Sequence, residues 1–535
     1  MSGIFLVVID ALGVLEARKC QGMLMSKGIC ERISAIVVFM KILRSNLSRF
    51  INFFIPAYAR ASFIFVQMVL IGAAMTCTLS SSHAQSKRPR VIVLTDITNE
   101  PDDQESLVRF LVYCNEYDVE GLIATTSTWL RDRTSAKNIR QCVAAYALVK
   151  SNLDLHADGF PTAAQLASVT MEGWPEYGML GVGAGKDSAG SDHIIDVIDR
   201  SADRPVWVTV WGGANCLAQA LWKVRENRSA EELEKFISKI RVYTISDQDD
   251  AGPWMRKQFP KLFYVVSPGS EGGSEYNQAT WTGISGDDYY LNGPRYCIDL
   301  VSNDWLTKNI RTNHGPLGAM YPAWEYIMEG DSPSFMNLIN NGLGSAVSPG
   351  FGGWGGRYKL KQTYGDTAPI WQNSRDRFVT PDGRVHVTNM ATIWRWRRDF
   401  QHDFAARMDW CVAKSFDDAN HNPIVILNGD ETKDVVYQKV KPGEKILLSA
   451  KGTLDPDGNT LSYRWFHYGE AGRGMTSKQD LWSIEIQGAE TEDASLIVPA
   501  KFPGRTKDMH IILSVEDNGV PSLHAYRRIV LQLEN

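Results

Sequence analysis

The stretch that decides the fold is VIVLTDITNEPDDQESLVRFL, which runs from Val91 to Leu111. It begins with an apolar and β-branched run of the kind that forms a strand buried on both faces. Leu107, Phe110 and Leu111 then recur at helical spacing. Between the strand and the helix the chain places four carboxylates: Asp96, Glu100, Asp102 and Asp103. Burying like charges this close together costs on the order of several kcal/mol, unless a positive charge lies among them.

The alternation of strand and helix continues downstream. VEGLIATTST, RPVWVTVWGG, KIRVYTIS and KLFYVVSP predict strands, whereas SAKNIRQCVAAYALVKSN and NCLAQALWKVREN predict helices. Apolar strands that alternate with helices indicate an α/β domain with a mostly parallel sheet and flanking helices. We expect this domain to span residues 88–420, with its active site at the carboxyl ends of the strands.

A different pattern follows the break at DDANHNPIVILNGD. Short apolar segments such as KILLSAKG, LSYRWFHY and DMHIILSVEDNG recur with turn signals between them. This spacing predicts an all-β, Ig-like sandwich over residues 423–535. The turn signal DPDGN, Asp455 to Asn459, could hold Ca²⁺, although a tight turn between strands explains the same residues without a metal.

The N-terminal residues 1–84 differ from the rest of the chain. Ala61 to Met75 is an apolar run of the length found in signal peptides, and Ser82-His83-Ala84 resembles a cleavage site. The run is short for a membrane span, although a membrane anchor is the alternative. We expect a leader that is cleaved after Ala84, export to the periplasm or the medium, and no stable membrane insertion afterwards. Met40 is a plausible true start.

Composition narrows the classes of function. The chain has 535 residues and a net charge of −5, which is enough for two or three domains. No stripe of Lys and Arg dominates, so we expect no nucleic-acid partner. The eight cysteines form no CxxC pair, which argues against a zinc ribbon or a thioredoxin site, while a single disulfide stays possible. The sequence contains neither a GxSxG elbow nor a Walker motif.

The carboxylates after the first strand have two interpretations. Asp102 and Asp103 begin the predicted helix, where its dipole favours an anion by up to about 1 kcal/mol. A helix cap in a solvated loop would, however, need only one of them. The alternative is a site for a hard cation, because carboxylate oxygens suit Ca²⁺ or Mg²⁺ and Ca²⁺ tolerates an irregular cage.

The same stretch resembles a known family. VIVLTDITNEPDD looks like the opening signature of the nucleoside hydrolases, in which a strand ends in Asp-x-Asp and a paired Asp-Asp begins the next helix. The NEPDDQ variant is more specifically similar to a bacterial family of nucleoside-hydrolase-like proteins that is linked by name to cellulose binding and carries a C-terminal Ig-like domain. VWVTVWGGANCLAQAL, HGPLGAMYP, EGDSPSF and GGWGGRY support the match across nearly the whole chain after the leader.

The resemblance implies a Ca²⁺ ion at the bottom of a cleft and a Ca²⁺-bound water that attacks the glycosidic bond with inversion of configuration. It implies that Asp96 is both a metal ligand and the catalytic base, with Glu100 as its rival. The other implied metal ligands are Asp103, the backbone carbonyl of Trp211, and Asp331 in EGDSPSF.

Several residues are candidates for binding the substrate. The resemblance gives Asp102 to the sugar hydroxyls, places Asn215 nearby, and suggests Glu275 and Asn277 of SEYNQ through a Glu-x-Asn element that binds ribose in the family. In GFGGWGGRY the glycines would let a ligand approach the backbone, and Trp354 could stack on a sugar face, unless the segment is simply a packed loop.

The chain departs from the nucleoside hydrolases at three places. Thr98 stands where the second Asp of Asp-x-Asp belongs. Gly330 replaces the His that precedes the last Asp; His314 in TNHGPLG could take its role, although an isolated His is more often structural. The sugar-binding Asn after the second strand has no counterpart, and Trp129 and Arg131 stand there. A larger or different glycoside is therefore as compatible with the sequence as a nucleoside.

Two hypotheses follow. The first is an exported hydrolase of N-glycosyl or related glycosidic bonds, with a nucleoside or other small glycoside as its partner. The second is a non-catalytic carbohydrate-binding protein whose sandwich grips a polysaccharide such as cellulose. The sequence leaves the oligomeric state open.

Overall fold

The computed structural model describes residues 88–534 except 201, 203, 269–274, 363–366, 474–482 and 501–507. The chain divides into two units, Met1–Gln85 and Ser86–Asn535, and all of the described residues belong to the second unit. The predicted leader and its cleavage site at Ala84 lie outside the described residues. Within the described part, no helix has both the length and the apolar character needed to span a bilayer.

The first part of this unit is built on an eight-stranded sheet. Its strand order is β3-β2-β1-β4-β5-β6-β8-β7, and all neighbours are parallel except β7 and β8. The strands are β1 (Arg90–Thr95), β2 (Asp118–Ala124), β3 (Thr170–Glu172), β4 (Val206–Val210), β5 (Ile240–Thr244), β6 (Phe263–Val266), β7 (Tyr358–Lys361) and β8 (Ile370–Asn373). The predicted mostly parallel sheet is confirmed.

Strand β1 lies between β2 and β4, and all of its residues are buried. Val91 and Val93 belong to the hydrophobic core on one face of the sheet. Ile92 and Leu94 belong to the core on the other face. Because side chains alternate along a strand, a continuous apolar run is what a doubly covered central strand requires.

Helices cover both faces of the sheet. They are α1 (Pro101–Val112), α2 (Ala136–Ala147), α3 (Lys150–Leu153), α4 (Ala163–Ser168), α5 (Ala189–Asp199), α6 (Asn215–Asn227), α7 (Ala230–Ser238), α8 (Ala251–Gln258), α9 (Asn303–Leu306), α10 (Gly315–Ala319), α11 (Pro333–Met336), α12 (Ala391–Trp394) and α13 (Arg397–Trp410). A small antiparallel pair, β9 (Asp376–Val379) and β10 (Val385–Thr388), precedes α12. Helix α1 starts with Pro101, whose fixed φ suits the first helical position.

The C-terminal part consists of two sheets, which confirms the all-β prediction. One sheet has the order β11-β17-β16-β13 and the other β12-β15-β14. The strands are β11 (Val436–Val440), β12 (Lys445–Ser449), β13 (Ser462–His467), β14 (Ile486–Gln487), β15 (Asp493–Ile497), β16 (Asp508–Glu516) and β17 (His524–Leu533), with a short helix α14 (Gly469–Arg473) after β13. Residues of both sheets form one buried core between them.

The two parts share a hydrophobic interface. Ile512 of β16 and Tyr526 of β17 belong to the same buried cluster as the residues beneath the eight-stranded sheet. The indole Nε1 of Trp354 lies 3.5 Å from the Tyr526 hydroxyl in this interface. Trp354 is only 2% exposed, so its ring is packed between the two parts of the molecule.

The cysteines of the described part form no disulfide. All of them are free, and all but Cys297 are buried. Burial raises the pKa of the Cys114 thiol to about 12, so this thiol stays protonated and unreactive at neutral pH.

Candidate functional site

A cavity of about 390 Å³ opens at the carboxyl ends of the central strands. Asp96 follows β1 directly, Trp211 follows β4 and Ile245 follows β5, and all three line the cavity. Parallel strands bring their carboxyl ends to one edge of the sheet, so residues distant in sequence meet there. Glu100 also lines this cavity.

Three carboxylates meet at the bottom of the cavity. Oxygens of Asp102, Asp103 and Asp331 lie within 4.8 Å of one another. Asp331 is 1% exposed, and its Oδ2 has no hydrogen-bond partner among the described residues. A buried unpaired oxygen is costly, and an oxygen-only set of ligands matches the preference of Ca²⁺ and Mg²⁺. The residues present therefore fit a hard cation.

Asp96 lies next to this group of three carboxylates. It is 3% exposed and hydrogen-bonds with Ser127 and with Asp103. Ser127 is itself fixed, because its Oγ accepts the backbone N–H groups of Trp129 and Leu130, both at 3.0 Å. The loop after β2 thus holds the carboxylate at the end of β1 in place.

Two close-packed glycines explain why the segment after β4 reads WGGAN. A Cβ atom on Gly212 would lie 2.3 Å from Asp96 Oδ1. A Cβ atom on Gly213 would lie 2.5 Å from Asp249 Oδ2 and equally close to the carbonyl oxygen of Thr126. Both distances are shorter than van der Waals contact. Only glycine therefore fits against Asp96 at position 212, and against Asp249 and Thr126 at position 213.

Replacing Gly212 with Ala is expected to displace the Asp96 carboxylate and to weaken the binding of a divalent cation at this site by about 10–100-fold, the usual effect of disturbing the support of a ligand. Isothermal titration calorimetry would measure the affinity. Gly350→Ala is the matched control, because its new Cβ would meet its nearest atom at 3.4 Å. Equal affinities in both variants would contradict this role of Gly212.

A buried ion pair supports the loop that carries Asp331. Arg109 and Glu329 are both fully buried, and their side chains form an ion pair. The hydroxyls of Tyr321 and Ser332 each donate to the Glu329 carboxylate at 2.7 Å. Glu329 and Ser332, which lie on either side of Asp331 in the chain, are therefore held in place by these buried contacts.

Trp211 connects β4 to the same loop. Its indole Nε1 donates to Ser334 Oγ at 2.9 Å, and Ser334 Oγ donates to the Asp331 carbonyl oxygen at 2.8 Å. The Trp211 carbonyl accepts a hydrogen bond from Gln248 Nε2 at 2.5 Å. A carbonyl oxygen has two lone pairs, so this bond leaves one for a cation.

Burial and mutual repulsion shift the pKa values of these carboxyl groups upward. Burial, reinforced by Glu100 and Asp96, raises the pKa of Asp102 to about 8. Burial and the neighbouring carboxylates also hold the pKa values of Asp103 and Asp331 well above their usual range. A cation among these groups would remove the repulsion.

The pH dependence of stability follows from Asp102. Its pKa rises from 3.8 to about 8 on folding, so its contribution to the free energy of unfolding is complete below about pH 4 and is lost as the pH rises towards 8. In the presence of a chelator of divalent cations, the unfolding free energy of the wild type minus that of Asp102→Asn is expected to fall as the pH rises from 5 to 8. Urea denaturation at each pH measures it, and a difference independent of pH would contradict the expectation.

Four predicted substrate-binding residues do not line the cavity. Asn215 is buried, and its Nδ2 donates to the carbonyl of Glu176 at 2.8 Å. Glu275 and Asn277 flank Tyr276, and both are exposed and absent from the cavity lining. Trp354 lies in the interface between the two parts of the molecule.

His314 also lies away from the cavity. Its Nε2 is 3.1 Å from Asp409 Oδ1 on α13, which is a structural contact rather than a position beside a substrate. The position of the family's His is closed as well, because a Cβ atom on Gly330 would lie 2.9 Å from Asp102 Oδ2 and 3.0 Å from the Trp281 ring. Thr98 is exposed with a left-handed φ of 96°, and its side chain does not line the cavity.

Aromatic side chains form the cavity walls, and of these only Trp129 was singled out from the sequence, as the residue standing in place of the sugar-binding Asn. They are Trp129, Tyr276, Trp281, Tyr289, Tyr290 and Tyr326. Neighbouring rings touch, with centroid separations of 5.0 Å for Tyr276 and Trp281 and 4.9 Å for Tyr289 and Tyr290. Trp129, Tyr289 and Tyr326 are each about half exposed. High Trp content was the available signal, but these rings come from loops and from 3-10 turns too short to show a periodicity.

Comparisons with known proteins agree with this architecture. A family model described as the nucleoside hydrolase-like domain of cellulose-binding Sde182 matches residues 90–358. A second, described as the C-terminal domain of cellulose-binding protein Sde0182, matches residues 445–533. No curated protein matches the chain.

One solved structure is similar to this chain over most of its length. A nucleoside hydrolase-related hypothetical protein from Saccharophagus degradans, described as associated with carbohydrate metabolism, is 38% identical; the match covers 84% of this chain and 100% of that one, with a TM-score of 0.69. The effector protein XOO4466 is 12% identical over 54% of this chain and 88% of its own, with a TM-score of 0.26. A PKD domain from the KIAA 1837 protein is 14% identical over 19% of this chain and 83% of its own, with a TM-score of 0.13. The last two similarities are too weak to carry an argument.

Proposed function

Because the chain belongs to the Sde182 nucleoside hydrolase-like family, we propose that it is an exported, Ca²⁺-dependent hydrolase of N-glycosyl or related glycosidic bonds. The observation that carries the proposal is the meeting of Asp102, Asp103 and Asp331 at the bottom of a cavity with aromatic walls. Export rests on the apolar run and cleavage-site pattern before residue 85 and on the match to a cellulose-binding domain.

The cation would be held by the carboxylates of Asp96, Asp103 and Asp331 and by the Trp211 carbonyl, with Asp102 directed to the sugar hydroxyls. When bound, Ca²⁺ would orient a water molecule and lower its pKa. Calcium suits the site better than magnesium, because a set of ligands drawn from several loops is irregular and magnesium demands a near-ideal octahedron.

Asp96 acts as the general base. It takes a proton from the water whose oxygen forms a bond to the anomeric carbon, while the bond from that carbon to the leaving atom breaks. The leaving atom keeps the electron pair of the broken bond and takes a proton from solvent. Ser127 orients the Asp96 carboxylate through their hydrogen bond. The neighbouring carboxylates stabilise the positive charge that develops on the sugar ring. Direct attack by water inverts the anomeric configuration.

The aromatic walls select a flat or sugar-like ligand. Trp129, Tyr289 and Tyr326 lie at the half-exposed mouth, where their rings would stack on a sugar face or on an aryl leaving group. The cavity volume of about 390 Å³ suits a small glycoside. Polar groups lie at the bottom and rings lie at the walls, so the sugar would enter first and the leaving group would face the mouth.

A release assay on a panel of nucleosides and aryl glycosides tests the proposal. We expect release to require calcium, to stop with a chelator, and to fall by about 10²–10⁴-fold in Asp96→Asn, the usual contribution of a general base. Asp299→Asn is the matched control, because Asp299 is an exposed carboxylate outside the cavity. Activity that survives Asp96→Asn would contradict the assigned base, and the absence of calcium-dependent release from every substrate would contradict the hydrolase.

A second candidate function is non-catalytic carbohydrate binding through the C-terminal Ig-like sandwich and the aromatic cavity. Among the described residues that line the cavity there is no His to assist a leaving group, which favours this alternative. Sedimentation with insoluble cellulose separates the two functions. A binding protein would stay with the cellulose after Asp96→Asn and would release no product from any glycoside.

A further inference from the structure

The end of the sandwich next to residue 420 contains a buried carboxylate that is only half satisfied. Asp517, in the turn between β16 and β17, is 3% exposed. Its Oδ1 accepts the backbone N–H groups of Gly519 at 2.8 Å and Leu523 at 3.0 Å, and the Asn420 side chain at 3.1 Å. Its Oδ2 is buried with no hydrogen-bond partner among the described residues.

Asp455, in the turn DPDGN, shows the same asymmetry. Its Oδ1 accepts the backbone N–H groups of Asp457 at 3.0 Å and Asn459 at 2.9 Å, which is what a tight turn requires. Its Oδ2 is buried and has no partner in the described part of the chain. The tight turn therefore explains one oxygen of this carboxylate and leaves the other unexplained.

The side chain of Asn420 bridges the turns that carry the two carboxylates. The Asn459 side chain donates to Asn420 Oδ1 at 2.9 Å, and Asn420 Nδ2 in turn donates to Asp517. These bonds connect the turn of Asp455 to the turn of Asp517.

The nearest histidine does not neutralise them. His421 donates its backbone N–H to Asp457 Oδ2 at 2.7 Å, and its Nδ1 lies 2.9 Å from Asp457 Oδ1. His421 is therefore already paired with a third carboxylate, that of Asp457. Asp457 also brings more negative charge to the same end of the sandwich. Burying unpaired carboxylate oxygens costs free energy, which a cation between Asp455 and Asp517 would offset.

We propose that Asp455 and Asp517 are carboxylate ligands of a second Ca²⁺ site, separate from the cavity of the α/β domain. Neutral oxygens complete it, from the Asn420 side chain, nearby carbonyls and water, as is usual for Ca²⁺. The site would connect three segments: residue 420 at the entry to the sandwich, the DPDGN turn and the β16–β17 turn. Calcium would thereby fix the sandwich to the segment that precedes it.

The number of calcium ions per full-length chain tests the inference. Equilibrium dialysis followed by metal analysis is expected to find two ions in the wild type and in Asp508→Asn, an acid at the start of β16 away from the site. We expect one ion in Asp517→Asn and in Asp455→Asn, because the amide keeps the Oδ1 hydrogen bonds and removes the charge. Asp331→Asn should also bind one ion, and the Asp331→Asn, Asp517→Asn double variant none.

The outcomes separate this site from the cavity site. A single ion that is lost in Asp517→Asn and kept in Asp331→Asn supports the sandwich site and contradicts the calcium of the proposed hydrolase. A single ion that only Asp331→Asn removes overturns the sandwich site. Two ions in both Asp455→Asn and Asp517→Asn overturn it as well, and Asp455→Asn alone decides if Asp517→Asn does not fold.

Discussion

Replacing Asp331 with Asn is expected to lower the proposed calcium-dependent glycoside hydrolysis by at least about 10³-fold, because several kcal/mol of charge stabilisation would depend on the cation. Asp331 comes from a loop more than 200 residues after Asp103, and both belong to the group of three close carboxylates. The amide would remove one negative charge and direct an N–H donor at the cation position. Initial rates over a series of calcium concentrations would measure the loss.

The same variant is expected to be more stable than the wild type when calcium is chelated. Asn removes one of the carboxylates whose burial and mutual repulsion raise the pKa values of Asp331 and its neighbours. Thermal unfolding should therefore show a higher midpoint in chelator and a smaller shift on addition of calcium. Asp299→Asn should change neither quantity. A variant that keeps both the activity and the calcium-induced shift would exclude Asp331 as a ligand.

Replacing Arg109 with Met is expected to lower the free energy of unfolding by about 3–5 kcal/mol, the usual cost of leaving one partner of a buried ion pair without its counter-charge. Arg109 and Glu329 are both inaccessible to solvent. Arg109 also donates to the carbonyl of Phe400 at 3.1 Å, so the variant loses a connection to α13 as well. Urea denaturation at neutral pH would measure the loss.

Two further variants test this explanation. In an Arg109→Met, Glu329→Met double variant part of the stability should return, because no buried charge is left unpaired. Arg133→Met, which removes an exposed arginine paired with Asp132, should cost less than about 1 kcal/mol. A double variant less stable than Arg109→Met would show that the packing of both side chains, rather than the pairing of charges, sets the stability.

The central strand and the position of the site could be predicted from the sequence because both depend on local pattern. The apolar run before Asp96 predicted a strand that is buried on both faces. The acids that directly follow this strand were therefore predicted to lie at its carboxyl end. Asp103 and Asp331 meet as the resemblance implied. The glycines after Trp211 have a local reason too, namely their contact with Asp96.

Long-range contacts explain what the sequence did not reveal. Arg109 and Glu329 are 220 residues apart, and neither side chain signals the other. His314 contacts Asp409, which is 95 residues away, and Trp354 contacts Tyr526, which is 172 residues away. Contacts this distant in sequence could not be predicted from the local pattern around either residue. The aromatic walls come from loops and short 3-10 turns, where no periodicity marks which ring faces a cavity.

The interface that contains Ile512 and Tyr526 has a consequence for anyone who engineers this protein. Both side chains are almost completely covered and belong to the cluster that fills the space beneath the large sheet. Cutting the chain near residue 423 would expose hydrophobic surfaces on both fragments, and exposed hydrophobic surface favours aggregation. The two parts should therefore melt in a single cooperative transition, and the protein is better regarded as one folding unit than as a catalytic module with a detachable anchor.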